Sequence, residues 1–189
     1  MRSARRSSLI AILVAGIALS TAAQQKNGSA TGWVQTKKTD PGRENSYVQF
    51  TLTGKFITRP KDSAGPPTIT VNCHPKGSRW KFIGASVNPG TLLTIQFVEP
   101  PQITAGISYY PKVDVRYRLD DGKEEKAQWA PNSDKTAITL AKDDLKRVLR
   151  AHTAQFTATE SHGGEVSMQF NMADPTQVET VCDLPAHKK

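Results

Sequence analysis

The sequence predicts a mainly β protein: a single-domain antiparallel sandwich or flattened barrel of about eight strands. Short runs of alternating apolar and polar residues recur along the chain, and Gly, Pro, Asn and Asp clusters separate them. The length of 189 residues fits one domain with its own core. Apolar residues make up 37% and charged residues 22% of the chain, which excludes a disordered chain and a multi-span membrane protein.

The N-terminal segment has the parts of a cleavable signal peptide. Three arginines precede an apolar run over residues 9–19, and small residues end at Ala23. The run is too short for a membrane anchor, because a helix rises about 1.5 Å per residue and the hydrocarbon is about 30 Å thick. We expect a periplasmic or secreted protein with these parts: signal peptide 1–23, flexible leader 24–31, β-rich domain 32–183 and basic tail 184–189.

The charge argues against a nucleic-acid partner. The formal charge is +8, from 25 basic and 17 acidic residues, and it falls to +5 once the three signal arginines are removed. The remaining basic residues are spread along the chain, whereas nucleic-acid-binding proteins cluster them on one face. We therefore expect only a weak attraction to anionic surfaces.

Period-two alternation predicts most of the strands. Tyr47–Thr53 and Thr68–Cys73 alternate apolar with polar residues, and the second run places Cys73 on its apolar face. Arg79–Ala85 and Leu92–Val98 are the next predicted strands. Residues 99–111 contain three prolines and are predicted to form a long loop.

The clearest strand signal lies over residues 113–119, where apolar and charged residues alternate without interruption before a turn at Asp120–Gly122. If the turn comprises the three residues 120–122, Val113 pairs with Trp129 on the returning strand, and apolar residues lie opposite apolar residues. A two-residue turn would set apolar residues against polar ones, so the first register is predicted. Gly122 would then take the left-handed conformation of a bulged turn.

Two helices are predicted near the C-terminus. Apolar residues recur at helical spacing over about 141–151, which indicates one amphipathic helix, and Asp143 and Asp144 in its first turn fit compensation of the helix dipole. Asp174 and Pro175 form a helix start and predict a short helix over about 175–182. The strands Ala154–Glu160 and Glu165–Met172 lie between the helices.

Cys73 and Cys182 are the only cysteines. Both fall on apolar faces, and an exported protein meets an oxidising compartment, so we predict that they form a disulfide. Two buried free thiols are the alternative. The bond would close a loop of roughly 100 residues, for which chain entropy gives about 4–5 kcal/mol.

We predict no catalytic residue, no cofactor and no metal. No two of the four histidines (His74, His152, His162 and His187) lie at metal-ligand spacing, and neither cysteine has a second one nearby. The sequence also lacks a glycine-flanked serine elbow and a glycine-rich phosphate loop.

Two features are candidates for binding a partner. Tyr109 and Tyr110 lie in the predicted loop and offer aromatic contact area, although packing against the end of the sandwich is the alternative. Arg116 and Arg118 project from one strand face and would suit an acidic partner. The alternative for the two arginines is an ordinary polar outer face.

Several features occur in an order that resembles small exported bacterial proteins of the type VI secretion-associated, VasI-like kind and related uncharacterised exported families. They are Trp33, the strand ending at Cys73, the 115–120 run with Gly122, Trp129, the amphipathic helix, Phe170 and Cys182. The resemblance spans Trp33 to Cys182. It implies a fold and an exported location, and it brings no catalytic residues.

The leading hypothesis is a non-enzymatic extracytoplasmic interaction or accessory domain. Its partner would be an unknown protein or envelope component, with no nucleic acid and no stable membrane span after signal cleavage; the oligomeric state is not predicted. The alternatives are an extracytoplasmic hydrolase with a site built from distant residues, or a binder of anionic glycan or lipid surfaces. A deep pocket joining His152 or His162 to a carboxylate would favour the hydrolase.

Overall fold

A computed structural model describes residues 32–39, 46–77, 83–98 and 110–184. The predicted signal peptide, the leader and the tail after Leu184 lie outside the described residues. The strands are β1 (Val34–Thr39), β2 (Ser46–Thr53), β3 (Lys55–Thr58), β4 (Thr68–Cys73), β5 (Ile83–Asn88), β6 (Gln96–Val98), β7 (Tyr110–Leu119), β8 (Glu125–Pro131), β9 (Ile138–Leu140), β10 (Thr153–Thr159) and β11 (Glu165–Asn171). Helix α1 (Lys142–Arg150) lies between β9 and β10, and helix α2 (Thr176–Val181) follows β11.

All strand pairs are antiparallel, and the order in the sheet is β1-β2-β4-β5-β9-β8-β7-β10-β11-β3, with β6 paired to β7. The mainly β, antiparallel prediction is confirmed. Two details are corrected: the described chain has eleven strands rather than about eight, and the sheet does not close into a barrel.

The sheet folds on itself in a sandwich-like manner and encloses one core. The first layer holds β1, β2, β4, β5 and β9, and the second holds β7, β10, β11 and β3. Strand β8 joins them, because it pairs with β7 along Glu125–Trp129 and with β9 at Ala130 and Pro131. Alternate side chains of both layers point inward, so Phe50 and Phe156 belong to the same buried cluster.

Gly54 is the point at which the chain passes from the first layer to the second. A Cβ atom there would lie 2.6 Å from ring carbons of Phe170 and 2.7 Å from the backbone oxygen of Gln169. Glycine permits this approach because it has no side chain. The alternation predicts a strand that ends at Thr53, whereas the structure continues beyond Gly54 as β3, which accounts for part of the higher strand count.

The predicted hairpin register is confirmed, since Val113 pairs with Trp129 and Val115 pairs with Ala127. The predicted bulge at Gly122 is wrong. The left-handed residue of the β7–β8 turn is Asp120, with φ of 50°.

The reason for the left-handed conformation of Asp120 lies outside the hairpin. Its Oδ1 accepts hydrogen bonds from the backbone N–H groups of His152 and Thr153, at 2.7 and 2.8 Å. These two bonds join the turn to the start of β10. They offset the steric cost of a left-handed conformation, which Asp tolerates better than most residues.

Other boundaries shift by a few residues. The strand predicted over Arg79–Ala85 is described from Ile83 and continues to Asn88, and residues 78–82 lie outside the described chain. In the predicted strand Leu92–Val98, only Gln96–Val98 is a strand, and Leu93 makes a single bridge to Glu160. Both helices agree with the prediction to within a residue at each end.

The predicted disulfide is present. Cys73 ends β4 and Cys182 directly follows α2, and their Cα atoms are 5.5 Å apart. The bond spans a sequence separation of 109 residues. It holds α2 against the end of the first layer, where the backbone N–H of Lys76 also donates to the carbonyl of Val181 at 3.0 Å.

We predict that Gly54→Ala destabilises the protein by about 1–3 kcal/mol, because its methyl group would overlap the ring of Phe170. The measurement is the urea midpoint of unfolding. Gly65→Ala is the matched control, since a Cβ atom at position 65 meets nothing within 4 Å. Equal midpoints for the two variants would contradict the tight crossing between layers.

Candidate functional site

The candidate site is the solvent-facing side of β7 and its neighbours. The buried residues of β7 are Val113, Val115 and Tyr117. Because side chains alternate along a strand, the other set points away from the core. We call this set, together with the polar side chains beside it on β8, β10 and β11, the outer face; on β7 it comprises Tyr110, Lys112, Asp114, Arg116 and Arg118.

Three of the four residues predicted to bind a partner therefore share one face. Tyr110, Arg116 and Arg118 lie in a column about 26 Å long, at about 3.3 Å per residue. Tyr109 lies outside the described residues. The structure thus brings together two features that the sequence presents as separate.

Tyr110 lies in a strand, which corrects the end of the loop predicted over residues 99–111. It pairs with Val98, and Pro111 pairs with Phe97, so β6 extends the ladder of β7 past the point where β8 pairs with it. The side chain of Tyr110 is 53% exposed. Among the described residues it is therefore an aromatic group available to a partner, held on a long strand.

Neighbouring side chains neutralise much of the charge on the outer face. Arg116 makes an ion pair with Glu165 at 2.6 Å and approaches Glu124 at 3.9 Å. Asp114 accepts hydrogen bonds from Gln96 and Gln128, at 2.6 and 3.0 Å. Arg116 is thus already partnered within the protein.

Arg118 differs from Arg116. It is exposed, and no ion pair joins it to another described residue. Lys126 on β8, opposite Arg116, is exposed as well. The positive charge that the outer face offers to a partner comes from these side chains and from Lys112, which makes no ion pair with a described residue either, rather than from Arg116.

A depression of about 460 Å³ lies on the outer face beside Arg116. Its polar lining consists of hydroxyl, amide and charged side chains from four neighbouring strands: Asp114, Arg116, Lys126, Gln128, Thr157, Thr159 and Glu165. Such a surface can form many hydrogen bonds with a partner.

A second group of polar residues fastens α1 to the second layer. Arg147 of α1 donates to both carboxylate oxygens of Glu125 on β8. It also donates to the hydroxyl of Tyr117 on β7, at 2.8 Å, and that hydroxyl donates to Glu125 at 2.9 Å. We call these three residues the α1 clamp.

Aromatic rings in the core pack against Tyr117 of the α1 clamp. The ring of Tyr117 lies 5.2 Å from that of Trp129, and Trp129 lies 6.0 Å from Phe156. The indole N–H of Trp129 donates to Asp144 of α1 at 2.9 Å. Helix α1 is thereby held by a salt bridge and by a buried aromatic group that needs a hydrogen-bond partner.

The electrostatics of the α1 clamp favour a structural role. Hydrogen bonds from Arg147 and then Tyr117 hold the pKa of Glu125 below its ordinary 4.5. Burial, followed by the hydrogen bond to Glu125, raises the pKa of Tyr117 above 10.0. A carboxylate of lowered pKa is a weak general base, and a tyrosine of raised pKa is a poor nucleophile at neutral pH.

The α1 clamp was not predicted from the sequence. Tyr117 is expected in the core, and its buried hydroxyl is the one signal that a partner is needed. The choice of Arg147 and Glu125 depends on how α1 lies across two strands, which local spacing does not reveal. Asp144, interpreted from the sequence as compensating the helix dipole, also accepts the indole hydrogen bond.

A groove of about 690 Å³ separates the end of α1 from α2. Its charged and polar lining includes Lys76, Arg150, His152, Asp174, Glu179 and Asp183, so one histidine and three carboxylates share the groove. His162, by contrast, is exposed in the turn between β10 and β11. Within the described ranges, no three His, Cys, Asp or Glu side chains are grouped so as to hold a metal ion.

No helix in the described part of the chain is long and apolar enough to cross a membrane. No family model, no curated protein and no solved structure matches the chain. The outer face and the groove are therefore the features of the described chain that bear on function.

The lowered pKa of Glu125 predicts a pH dependence of stability. The unfolded chain binds this proton more readily than the folded protein, so the contribution is present above about pH 4.5 and is lost as pH falls through the lowered pKa. We expect Glu125→Gln to flatten this acidic part of the curve. The measurement is the free energy of unfolding in urea across the acidic range.

Arg150→Met is the matched control, because Arg150 is exposed on the same helix and takes no part in the α1 clamp. Its acidic limb should follow that of the unmodified protein. An acidic limb that is unchanged in Glu125→Gln would show that the α1 clamp does not hold this carboxylate in solution.

Proposed function

We propose that this chain is an exported, non-enzymatic interaction domain that binds a protein or another envelope component through its outer face. The observation that carries the proposal is the column on β7, in which an exposed tyrosine continues a row of polar and charged side chains. Tyrosine provides a large contact area at a low cost in conformational entropy.

The construction of the outer face supports recognition. It is built on hydrogen-bonded strands, which hold side chains more rigidly than loops do. The bonds from Gln96 and Gln128 orient Asp114, and Glu165 orients Arg116. Side chains that are ordered before binding lose less conformational entropy when a partner docks.

An extracytoplasmic location is part of the proposal. A disulfide between distant residues persists in an oxidising compartment and is rare in the cytosol. The N-terminal sequence adds the features of a signal peptide. The resemblance to exported proteins associated with type VI secretion fits this location and remains a prediction.

The test replaces Tyr110 with a photocrosslinking phenylalanine derivative and irradiates the oxidised protein in an envelope extract. We expect a discrete crosslinked species from position 110. Tyr110→Ala should lower capture of that species while the melting temperature is unchanged, because the side chain is half exposed and packs little.

Phe97 is the matched control. It is 67% exposed on the neighbouring strand, and alternation turns it to the opposite side of the β6–β7 ribbon from Gln96 and the outer face. The crosslinker at position 97 should give no such species. A melting temperature that falls by several degrees in Tyr110→Ala, with capture intact, would make Tyr110 a packing residue and remove the proposal.

Capture that disappears at moderate salt in every variant would favour the anionic-surface alternative.

The second candidate function is hydrolysis in the groove between α1 and α2. The observation that favours it is that His152 and three carboxylates line the same groove of about 690 Å³, a volume within the range of small-molecule sites. A histidine beside a carboxylate can act as a general base. A catalytic site in the groove would require one of the three carboxylates to come within hydrogen-bond distance of the His152 ring.

His152→Gln tests the hydrolase, with activity measured on model esters, glycosides and peptides. If the groove is catalytic, the unmodified protein turns over one of these classes and His152→Gln loses at least roughly a hundredfold in rate. His162→Gln is the control, because that histidine is exposed in a turn away from the groove. Equal rates for both variants would exclude catalysis by His152.

A further inference from the structure

The two ends of the sheet differ in how they are protected. Strand β1 ends the first layer, and no described strand pairs with its outer edge. All six of its residues, Val34–Thr39, are exposed. The strand therefore buries little side-chain area of its own. Its backbone pairing with β2 holds it in place, and Gln177 of α2 donates a hydrogen bond to the side-chain oxygen of Gln35 at 2.8 Å.

The outer edge of β1 is regular. Its six pairs with β2 run without a register shift, and it contains no proline. In an antiparallel ladder, alternate residues direct their N–H and C=O groups away from the neighbouring strand. Half of the backbone groups of β1 are thus arranged to pair with a further strand.

Strand β3, at the other end of the sheet, has two protective features. Its register with β11 shifts between Ser167 and Met168, which leaves Ile57 without a pairing partner. Pro60 follows the strand closely. Bulges and prolines are the usual devices that keep an edge from pairing with another chain.

Lysine is the only charged residue type in β1. Lys37 and Lys38 are adjacent, so they project from opposite faces of the strand. Both are exposed. A chain lying along the outer edge would meet a positive charge on each of its faces, and acidic side chains at the matching positions would complement both.

We propose that the outer edge of β1 binds an extended acidic peptide segment by strand addition. Backbone hydrogen bonds would supply the pairing, and the two lysines would select for acidic residues. A second copy of β1 fits poorly, because pairing like with like brings four ammonium groups together. This surface is separate from the outer face, since β1 and β7 lie in different layers.

The probe is a fluorescent synthetic peptide with the core threonine, valine, glutamate, glutamate, valine, threonine. Its adjacent glutamates present one carboxylate on each face. Binding to the oxidised protein is measured by fluorescence anisotropy, and amide hydrogen exchange is measured over residues 34–39. We expect saturable binding and slower exchange of alternate amides in β1.

Lys37→Glu combined with Lys38→Glu should weaken binding at least roughly tenfold, because each reversal removes an attraction and adds a repulsion. Lys55→Glu combined with Lys61→Glu makes the same change in net charge at exposed positions in and beyond β3. This control pair should retain the affinity of the unmodified protein. Equal losses in the two double variants would show non-specific attraction and overturn the proposal.

Two methylated probes separate strand addition from charge attraction. In the first probe, the N-methyl groups replace the peptide N–H hydrogens that would point towards β1, so these donors are lost. In the second probe, they replace the N–H hydrogens that point away from β1, so the donors facing β1 remain. The first should abolish binding and the second should retain it. Equal binding of both would overturn the proposal, as would unchanged exchange over 34–39 or no binding of the probe. A dimer dispersed by the Lys37 and Lys38 reversals would assign the edge to a second copy instead.

Discussion

The close contact between Gly54 and the ring of Phe170 is the constraint on which the rest of the structure depends. It lets one continuous segment contribute β2 to the first layer and β3 to the second, so the two layers meet at that corner without an intervening loop. Phe170 packs on Phe156, at 5.9 Å between ring centroids, and Phe156 packs on Trp129 and Tyr117. A row of aromatic rings thus runs from the corner to the α1 clamp, which fastens the helix to the second layer.

Alternation along β7 separates the side chains that pack in the core from those on the outer face. One set of its side chains fills the core and ends in the α1 clamp, and the other forms the column on the outer face. The strand changes partners along its length, from β6 at its start to β8 and β10 further on. A shift of one residue in the register of β7 would turn its core side chains outward and its outer-face side chains inward. The pairing of Val113 with Trp129 therefore determines the surface as well as the core.

The sequence predicted those features that depend on local alternation and on simple counting. The register of the β7–β8 hairpin, the extent of α1 and the cysteine pair all follow from which residues are apolar and from an even number of thiols. The features that were missed depend on contacts between distant residues. Asp120, and not Gly122, is left-handed because the start of β10 bonds to its carboxylate. Tyr110 belongs to a strand because β6 pairs with it, and Arg116 is partnered because Glu165 lies two strands away.

Because of the disulfide, proteolytic cleavage before Cys73 and cleavage between Cys73 and Cys182 have different consequences. All strands and helices from β5 to α2 lie between Cys73 and Cys182, so a single cut there leaves the two fragments covalently joined by the disulfide. A cut ahead of Cys73 has no such link. Strands β1 and β2 lie in that part, so cleavage between them could remove β1 and leave the cross-linked body of the sandwich in one piece.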